Sequence, residues 1–258
     1  MSNIADAFKR GKAFIPFITC GDPDIDTTVR CVRKMAENGA DLIELGIPFS
    51  DPTAEGPVIQ QANLRALRGG ITTDDIFEMV IKLRSDIKIP MVFMTYANVV
   101  YSYGSEKFIS ECERTGIDGL IIPDLPYEEK DEFLDICHSH GVDLISLIAP
   151  TSSDRIAMIA SEAEGFIYIV SSLGVTGMRS EITTDLDSII RVVRENADIP
   201  CAIGFGISTP AQAAKMASVS DGAIVGSAIV KLLEEYGTGT PEKVGEYVRS
   251  MKDAVASV

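Results

Sequence analysis

The chain has 258 residues, of which 46% are hydrophobic and 24% charged, and its formal net charge is −15. This composition excludes a collagen-like or largely disordered chain. The negative charge argues against nucleic acid or an anionic membrane as a partner, because both require a basic surface. It does not exclude a phosphorylated small molecule, since backbone N–H groups can hold a phosphate.

The cysteines and the apolar segments indicate where the protein works. The five cysteines form no Cys-x-x-Cys pair, and an odd number does not suit a disulfide framework. No apolar stretch approaches the roughly 18 residues that span a bilayer. The apolar run 13–19 contains Pro16 and lacks a signal-peptide cleavage site. We therefore expect a cytoplasmic protein with reduced thiols.

One sequence unit recurs along the chain: a Gly, often an Asp, a short apolar run, and then Pro or Gly. Clear copies occupy 39–48, 116–123 and 141–150, and 221–226 is a looser copy. Gly suits the left-handed residue that ends a helix. Apolar runs without alternation are typical of parallel strands that are covered on both faces.

In chain order, the predicted strands alternate with helices. A helix near 2–9 precedes strands near 14–20, 41–47, 90–95, 118–122, 143–148, 165–170, 200–204 and 222–226. Helices are predicted near 26–38, 57–68, 74–86, 105–115, 127–140, 153–163, 185–197, 209–217 and 241–255. Alternation indicates a parallel sheet, and eight repeats in about 250 residues favour a (β/α)8 barrel. We expect one domain over 1–258, with an extra N-terminal helix and extra helices in the βα loops; a doubly wound open sheet is the alternative.

Glu44 is a carboxylate inside an apolar predicted strand. A buried unpaired charge costs several kcal/mol, so the pKa should rise or a partner should be present. A carboxyl with a raised pKa can give and take protons near neutral pH. The alternative is a structural glutamate paired with Lys or Arg. In the long loop 48–56 that follows, Asp51 and Glu55 either share acid and base roles with Glu44 or belong to a solvated turn.

Short glycine motifs follow the last three predicted strands. They are Gly174–Gly177 within the long loop 171–184, Gly204–Ser208, and Gly226-Ser227 before a helix-like segment over 228–235. In barrels, the loops after strands seven and eight and a short helix N-terminus form a recurrent phosphate site. Alternatively, these glycines only serve turns. The first βα turn has no Gly-x-Gly-x-x-Gly motif and the chain has no His-Glu-x-x-His motif, so we expect neither a dinucleotide nor a metal.

Seven segments resemble the tryptophan synthase alpha chain family, in the order that the family shows. They are 14–23, 44–52, 56–57, 94–98, 174–177, 204–208 and 226–227. The resemblance implies a (β/α)8 barrel that cleaves indole-3-glycerol phosphate to indole and glyceraldehyde 3-phosphate by a retro-aldol reaction. It implies no cofactor in this chain. It also implies a partner, a pyridoxal-phosphate β subunit in an α2β2 complex, which receives indole through a tunnel and makes L-tryptophan from L-serine.

The resemblance also implies roles for individual residues. The catalytic residues are Glu44 and Glu55 with Tyr168 beside them; the phosphate site is Gly177, Gly206, Gly226 and Ser227; the indole pocket contains Phe17 and Phe205; Thr176 belongs to the closing loop; and Pro48, Asp51, Asn98 and Asp124 lie near the partner.

One departure from the family leaves alternatives open. The family pattern Asp-Pro-Leu-Ala-Asp-Gly-Pro reads Asp51-Pro-Thr-Ala-Glu-Gly-Pro57 here, so the second carboxylate is one methylene longer. A weakly active alpha-like subunit that mainly activates β therefore remains an alternative, as does a stand-alone lyase. A different phosphate-binding barrel enzyme is a further alternative, against which the segment 44–52 argues.

Overall fold

Parallel strands alternate with helices along the chain, as the sequence predicts. The structure is a computed structural model that describes residues 2–171, 185–204 and 206–258. The strands are β1 (Ala13–Thr19), β2 (Ile43–Gly46), β3 (Met91–Met94), β4 (Gly119–Ile121), β5 (Asp143–Leu144), β6 (Leu147–Ile148), β7 (Ile167–Val170), β8 (Cys201–Gly204) and β9 (Gly222–Val225). The α-helices are α1 (Ile25–Glu37), α2 (Pro57–Arg68), α3 (Thr73–Arg84), α4 (Ala97–Tyr103), α5 (Ser105–Thr115), α6 (Asp131–His140), α7 (Ser153–Ser161), α8 (Leu186–Asn196), α9 (Pro210–Val219), α10 (Ser227–Tyr236) and α11 (Pro241–Val255). Short 3-10 helices cover Ile4–Phe8, Tyr127–Glu129 and Gly237–Gly239.

The sheet closes on itself through one interrupted strand. Its order is β5-β4-β3-β2-β1-β9-β8-β7-β6, so the two ends of the sheet are β5 and β6. These are two halves of the segment predicted at 143–148. Between them, Ile145 N–H donates to Leu120 O of β4 (2.9 Å), whereas Ser146 O accepts from Tyr168 N–H of β7 (3.0 Å). The eight predicted strands therefore form a closed barrel, and an open sheet is excluded.

The strands are buried on both faces because they separate two apolar layers. Along β1, Ile15 and Phe17 pack in the lumen, whereas Phe14 and Ile18 pack in the layer between strands and helices. This alternation follows the two-residue period of a strand. Ile4 of the first 3-10 helix joins the lumen cluster, so the predicted N-terminal helix helps to fill the amino end of the barrel.

The helix ends largely follow the sequence signals. Gly116 and Gly141 end α5 and α6 with φ angles of +82° and +65°, the left-handed geometry that Gly adopts most readily. The sequence prediction missed α4. This helix has only seven residues, and its Val, Ser, Asn and Tyr side chains have modest helix propensity, so neither periodicity nor composition marked it. In the described ranges, no helix is long and apolar enough to cross a membrane.

Candidate active site

Glu44 lies in β2 beside Phe17 of β1, in register with it. Its side chain is 1% exposed. Within the described ranges, neither carboxylate oxygen has a hydrogen-bond partner. Burial raises the pKa of this carboxyl well above its ordinary value because the charged form loses its hydration, and the charge of Glu55 raises the pKa further. Of the two sequence-based alternatives, the structure therefore has the unpaired acid with a raised pKa.

Glu55 is the second carboxylate of the site, and its loop turns it inward. The residue is only 4% exposed. Gln60 Nε2 donates to the Glu55 carbonyl oxygen (2.7 Å), and the Ala54 N–H donates to the Tyr96 hydroxyl (3.0 Å). The solvated-turn alternative describes Asp51, which is exposed, but it does not describe Glu55.

Tyr168 of β7 is the third titratable group at this position. Its side chain is buried, and a Cβ atom on Gly204 of the neighbouring strand would lie 2.4 Å from the ring. Burial raises the pKa of the Tyr168 hydroxyl well above its ordinary value, and the charges of Glu44 and Glu55 raise it further. The absence of a side chain at Gly204 thus makes room for an aromatic ring beside two acids.

Phe17 occupies the lumen between two other glycines. A Cβ atom on Gly46 would lie 2.5 Å from its ring, and one on Gly226 would lie 3.2 Å from it. The ring therefore reaches from the strand that carries Glu44 to the end of β9. This position makes Phe17 an apolar wall of the cavity between the acids and the last βα loop.

All of these groups line one cavity. Its lining residues are Phe17, Glu44, Glu55, Ile59, Met94, Tyr168, Gly206, Ile207, Ile224, Gly226 and Ser227. The free volume is about 30 Å³, room for about two water molecules. Every predicted catalytic, phosphate or indole-pocket residue within the described ranges is in this set.

Part of the cavity wall has the features of an anion site. Gly226 precedes α10, and Ser227 is the first residue of that helix. No side chain within the described ranges caps this N-terminus, so its N–H groups can point at a ligand. Gly206, with a φ of +80°, lies on the same wall of the cavity. The predicted Gly177, Thr176 and Phe205 lie outside the described residues.

Tyr96 is a site residue that the sequence reasoning missed. It is 3% exposed, and its ring stacks on Phe49 with centroids 5.2 Å apart. Burial raises its pKa, and the charge of Glu55 raises it further. Its hydroxyl holds the loop at Ala54, next to Glu55. The sequence signal that could have identified Tyr96 is its position, directly after a predicted strand and within the segment 94–98.

Three of the four residues predicted near a partner are exposed at the carboxyl end of the barrel. They are Asp51, Asn98 and Asp124. The Ala97 N–H donates to Asp124 Oδ1 (3.0 Å), so α4 and the loop after β4 meet here. Pro48 is buried and therefore lies behind this surface. In the described ranges, no group of three or more His, Cys, Asp or Glu could hold a metal ion.

A closed parallel barrel whose strand ends surround buried acids and a helix N-terminus that no described side chain caps defines a (β/α)8-barrel enzyme for acid–base chemistry on a phosphorylated substrate. A family model described as "Tryptophan synthase alpha chain" matches residues 4–256. The chain belongs to the tryptophan synthase alpha chain family.

Individual relatives are similar to this chain over nearly its whole length. The tryptophan synthase alpha chain of Lactiplantibacillus plantarum is 49% identical, over 99% of this chain and 97% of its own. The solved alpha subunit from Legionella pneumophila matches with a TM-score of 0.91 at 35% identity and covers 100% of both chains. A chain of the Pyrococcus furiosus tryptophan synthase complex matches with a TM-score of 0.85 at 32% identity, over 93% of this chain and 98% of that one.

The family defines the reaction. This chain is a carbon–carbon lyase of tryptophan biosynthesis that cleaves indole-3-glycerol phosphate to indole and glyceraldehyde 3-phosphate.

Proposed function

We propose that Glu44 is the general acid and then the general base of this cleavage. As an acid it gives its proton to indole C3, which converts the ring to an indolenine. As a base it then takes the proton of the side-chain hydroxyl next to the ring. The C–C bond breaks, its electrons restore the aromatic ring, and the hydroxyl carbon becomes the aldehyde of glyceraldehyde 3-phosphate. The first step needs a carboxyl that is protonated near neutral pH, and the second step uses the carboxylate that the first step leaves.

The observation that carries this proposal is the environment of Glu44. The carboxyl is buried, has no hydrogen-bond partner in the described ranges, and lines the same cavity as a second acid. An apolar setting holds the proton on Glu44, as it does for other catalytic carboxyls. A structural glutamate would have a cation or N–H partner.

We propose that Glu55 stabilises the positive charge that develops at the indole N–H, or accepts that proton. The phosphate then binds at the opposite end of the cavity, to Gly206 and to the N-terminus of α10 at Gly226 and Ser227. Phe17 packs against the indole ring, and Tyr168 lies beside the acids. Gly177 and Phe205, as parts of the phosphate and indole sites, and Thr176, in a closing loop, belong to the same proposal.

We further propose that the chain acts with a pyridoxal-phosphate β subunit in an α2β2 complex and passes indole to it. Its family and its similarity to a chain of the Pyrococcus furiosus complex support this partner. The exposed Asp51, Asn98 and Asp124, with Pro48 behind them, are the proposed contact. The chain itself needs no cofactor in this scheme, since carboxyls and substrate exchange all the protons.

Two further proposals concern the whole chain. Residues 1–258 form one domain, because the sheet closes between segments from both halves of the sequence. The protein works in the cytoplasm, since all five cysteines are buried and unpaired, which suits a reducing compartment.

Glu55→Gln tests the two-acid mechanism. We expect indole release to fall at least about a hundredfold, because the amide cannot hold a compensating charge. Glu55→Asp keeps the charge but shortens the side chain, so a smaller loss, up to about a hundredfold, is expected from misplacement. Glu195→Gln on the exposed face of α8 is the matched control. Unchanged turnover in Glu55→Gln contradicts the role of Glu55.

Indole release with and without a β subunit from the same source tests the partnership. Slow release by the chain alone and a large increase with β support the partnered lyase. Fast release alone indicates a free-standing lyase. No release in either condition, with β still activated, indicates a subunit that only binds and activates.

A further inference from the structure

Arg65 of α2 joins three separate segments of the chain. Its Nε and Nη2 atoms donate to Asp22 Oδ1 and Oδ2, at 2.8 Å each. The Asp22 side chain is 1% exposed and the Arg65 side chain 29% exposed, so the carboxylate of this two-bond pair is buried and the guanidinium partly so. On its other side, Arg65 Nη1 is 3.6 Å from Glu234 Oε1 of α10. One guanidinium therefore connects the turn after β1, the helix α2 and the helix α10.

Each of the three segments supplies part of the cavity. The turn with Asp22 follows β1, which carries Phe17. Helix α2 begins at Pro57, two residues after Glu55, and contributes Ile59 to the cavity wall. Helix α10 begins at Ser227, where the phosphate is proposed to bind.

The position of α2 is transmitted to Glu55 by a direct contact. Gln60, in the first turns of α2, donates from Nε2 to the Glu55 carbonyl oxygen at 2.7 Å. Helices α2 and α10 also pack against each other. A shift of α2 along α10 would therefore change the distance between Glu55 and the N-terminus of α10.

We propose that Arg65 is a positioning residue for the cleavage reaction: it fixes Glu55 relative to the phosphate end of the cavity. This inference rests on the function proposed above. A substrate that is held by its phosphate at one end and must meet a carboxylate at the other tolerates little error in that spacing. Two parallel bonds from a planar guanidinium define an orientation, whereas the single ammonium of lysine does not.

The experiment compares turnover with binding of the phosphate end alone. In Arg65→Lys, we expect kcat for indole release to fall about tenfold to a hundredfold. The inhibition constant of glycerol 3-phosphate should stay within about twofold, because that ligand occupies only the phosphate end. Arg68→Lys, at an exposed position on the same helix, is the matched control and should keep full kcat.

A purely structural role predicts a different result. It would lower the melting temperature and leave kcat per folded molecule unchanged, so kcat is normalised to the folded fraction measured by circular dichroism. If Arg65→Lys does not fold, the neutral pair Asp22→Asn/Arg65→Gln replaces it, because two amides can still bond to each other without a buried charge. The same loss of kcat is expected.

Full kcat per folded molecule in Arg65→Lys, or in the double variant if Arg65→Lys does not fold, would overturn the inference. The outcome is separable from the proposed function through Glu55→Gln. Loss of turnover in Glu55→Gln with full kcat in Arg65→Lys removes only the role of Arg65. Unchanged turnover in Glu55→Gln contradicts the proposed role of Glu55. Arg65 would then have no catalytic carboxylate to position.

Discussion

Two buried acids at opposite ends of the barrel, Asp118 and Glu44, have opposite environments. At the amino ends of the strands, Asp118 accepts from Met91 N–H at the start of β3 (3.0 Å) and pairs with Arg84 (2.6 Å). At the carboxyl ends, Glu44 has no hydrogen-bond partner in the described ranges. The carboxylate of Asp118, which supports the fold, has hydrogen-bond donors. The carboxylate of Glu44, for which chemistry is proposed, has none in the described ranges.

Two further amino-end acids repeat the arrangement of Asp118. Asp41, just before β2, accepts from Phe14 N–H of β1 (2.7 Å) and pairs with Lys252 (2.7 Å). Asp221, just before β9, accepts from Cys201 N–H of β8 (2.9 Å) and pairs with Arg194 (2.7 Å). Asp41 and Asp118 belong to two of the three clear copies of the Gly-x-Asp unit, and Asp221 belongs to the looser copy. These three each tie the start of one strand to its neighbour, whereas Asp143 of the third copy accepts from Ser2 Oγ (2.6 Å).

The difference separates stability from activity. A buried carboxylate with two donors stabilises the strands that it joins. An unpaired one costs free energy, and a protein retains that cost where a proton must be held and released. Asp118 at the amino ends of the strands thus stabilises the barrel, whereas Glu44 toward their carboxyl ends is available for the reaction.

The largest effect is expected at the carboxyl end. Glu44→Gln should lower kcat for indole release by about 10²–10⁴-fold, because the amide neither gives nor takes a proton. Its free energy of unfolding should not fall, since no ion pair is lost. Steady-state kinetics and urea unfolding of the same preparation measure both. A variant that unfolds more easily than the parent would contradict the contrast between the two ends.

The opposite pattern is expected at the amino end. Asp118→Asn should lower the free energy of unfolding by roughly 3 kcal/mol, because Arg84 loses its buried partner. The kcat of the folded protein should be unchanged. Asp86→Asn, which breaks the exposed pair with Arg33 (2.8 Å), is the control and should cost less than about 1 kcal/mol. Equal effects of the two substitutions would remove the distinction between buried and exposed pairs.

The pH dependence of stability should differ in sign between the ends. The folded-state pKa of Glu44 lies above its unfolded value, so the folded protein holds an extra proton between the two values and stability falls as pH rises through that window. For Asp221, burial raises the pKa, but the Arg194 and Cys201 hydrogen bonds outweigh it and the net pKa is lowered. Stability from Asp221 is therefore present above its unfolded pKa and is lost as pH falls through the folded value.

Unfolding experiments from pH 3 to pH 9 check these signs. Glu44→Gln should become more stable than the parent as pH rises, by roughly 1–3 kcal/mol at the alkaline end. Asp221→Asn should approach the parent at acidic pH and fall below it near neutrality. Parallel curves for all three proteins would show that neither acid is linked to folding.

Much of the barrel follows from the local sequence. Apolar runs such as 41–47 and 165–170 identify strands because residues 42–47 and 166–170 in them are all buried, on one face or the other. Gly116 and Gly141 mark helix ends because few other residues adopt their φ. Glu44 was identifiable as a candidate because a carboxylate in such a run is costly wherever it points. The division of 143–148 into two strands could not be predicted from the sequence, because it depends on which neighbouring strand each half pairs with.

The sequence by itself determined the order of elements, the repeated aspartates and the presence of two acids near one loop. Only the tertiary structure decided that Glu44 lacks a partner, that Tyr96 holds the loop of Glu55, and that Arg65 joins Asp22 to α10. Periodicity and turn residues act between neighbours in the chain, so they can be read in order. Burial, charge pairing and the spacing of the site depend on residues brought together from distant segments, and the closure of the barrel sets those distances.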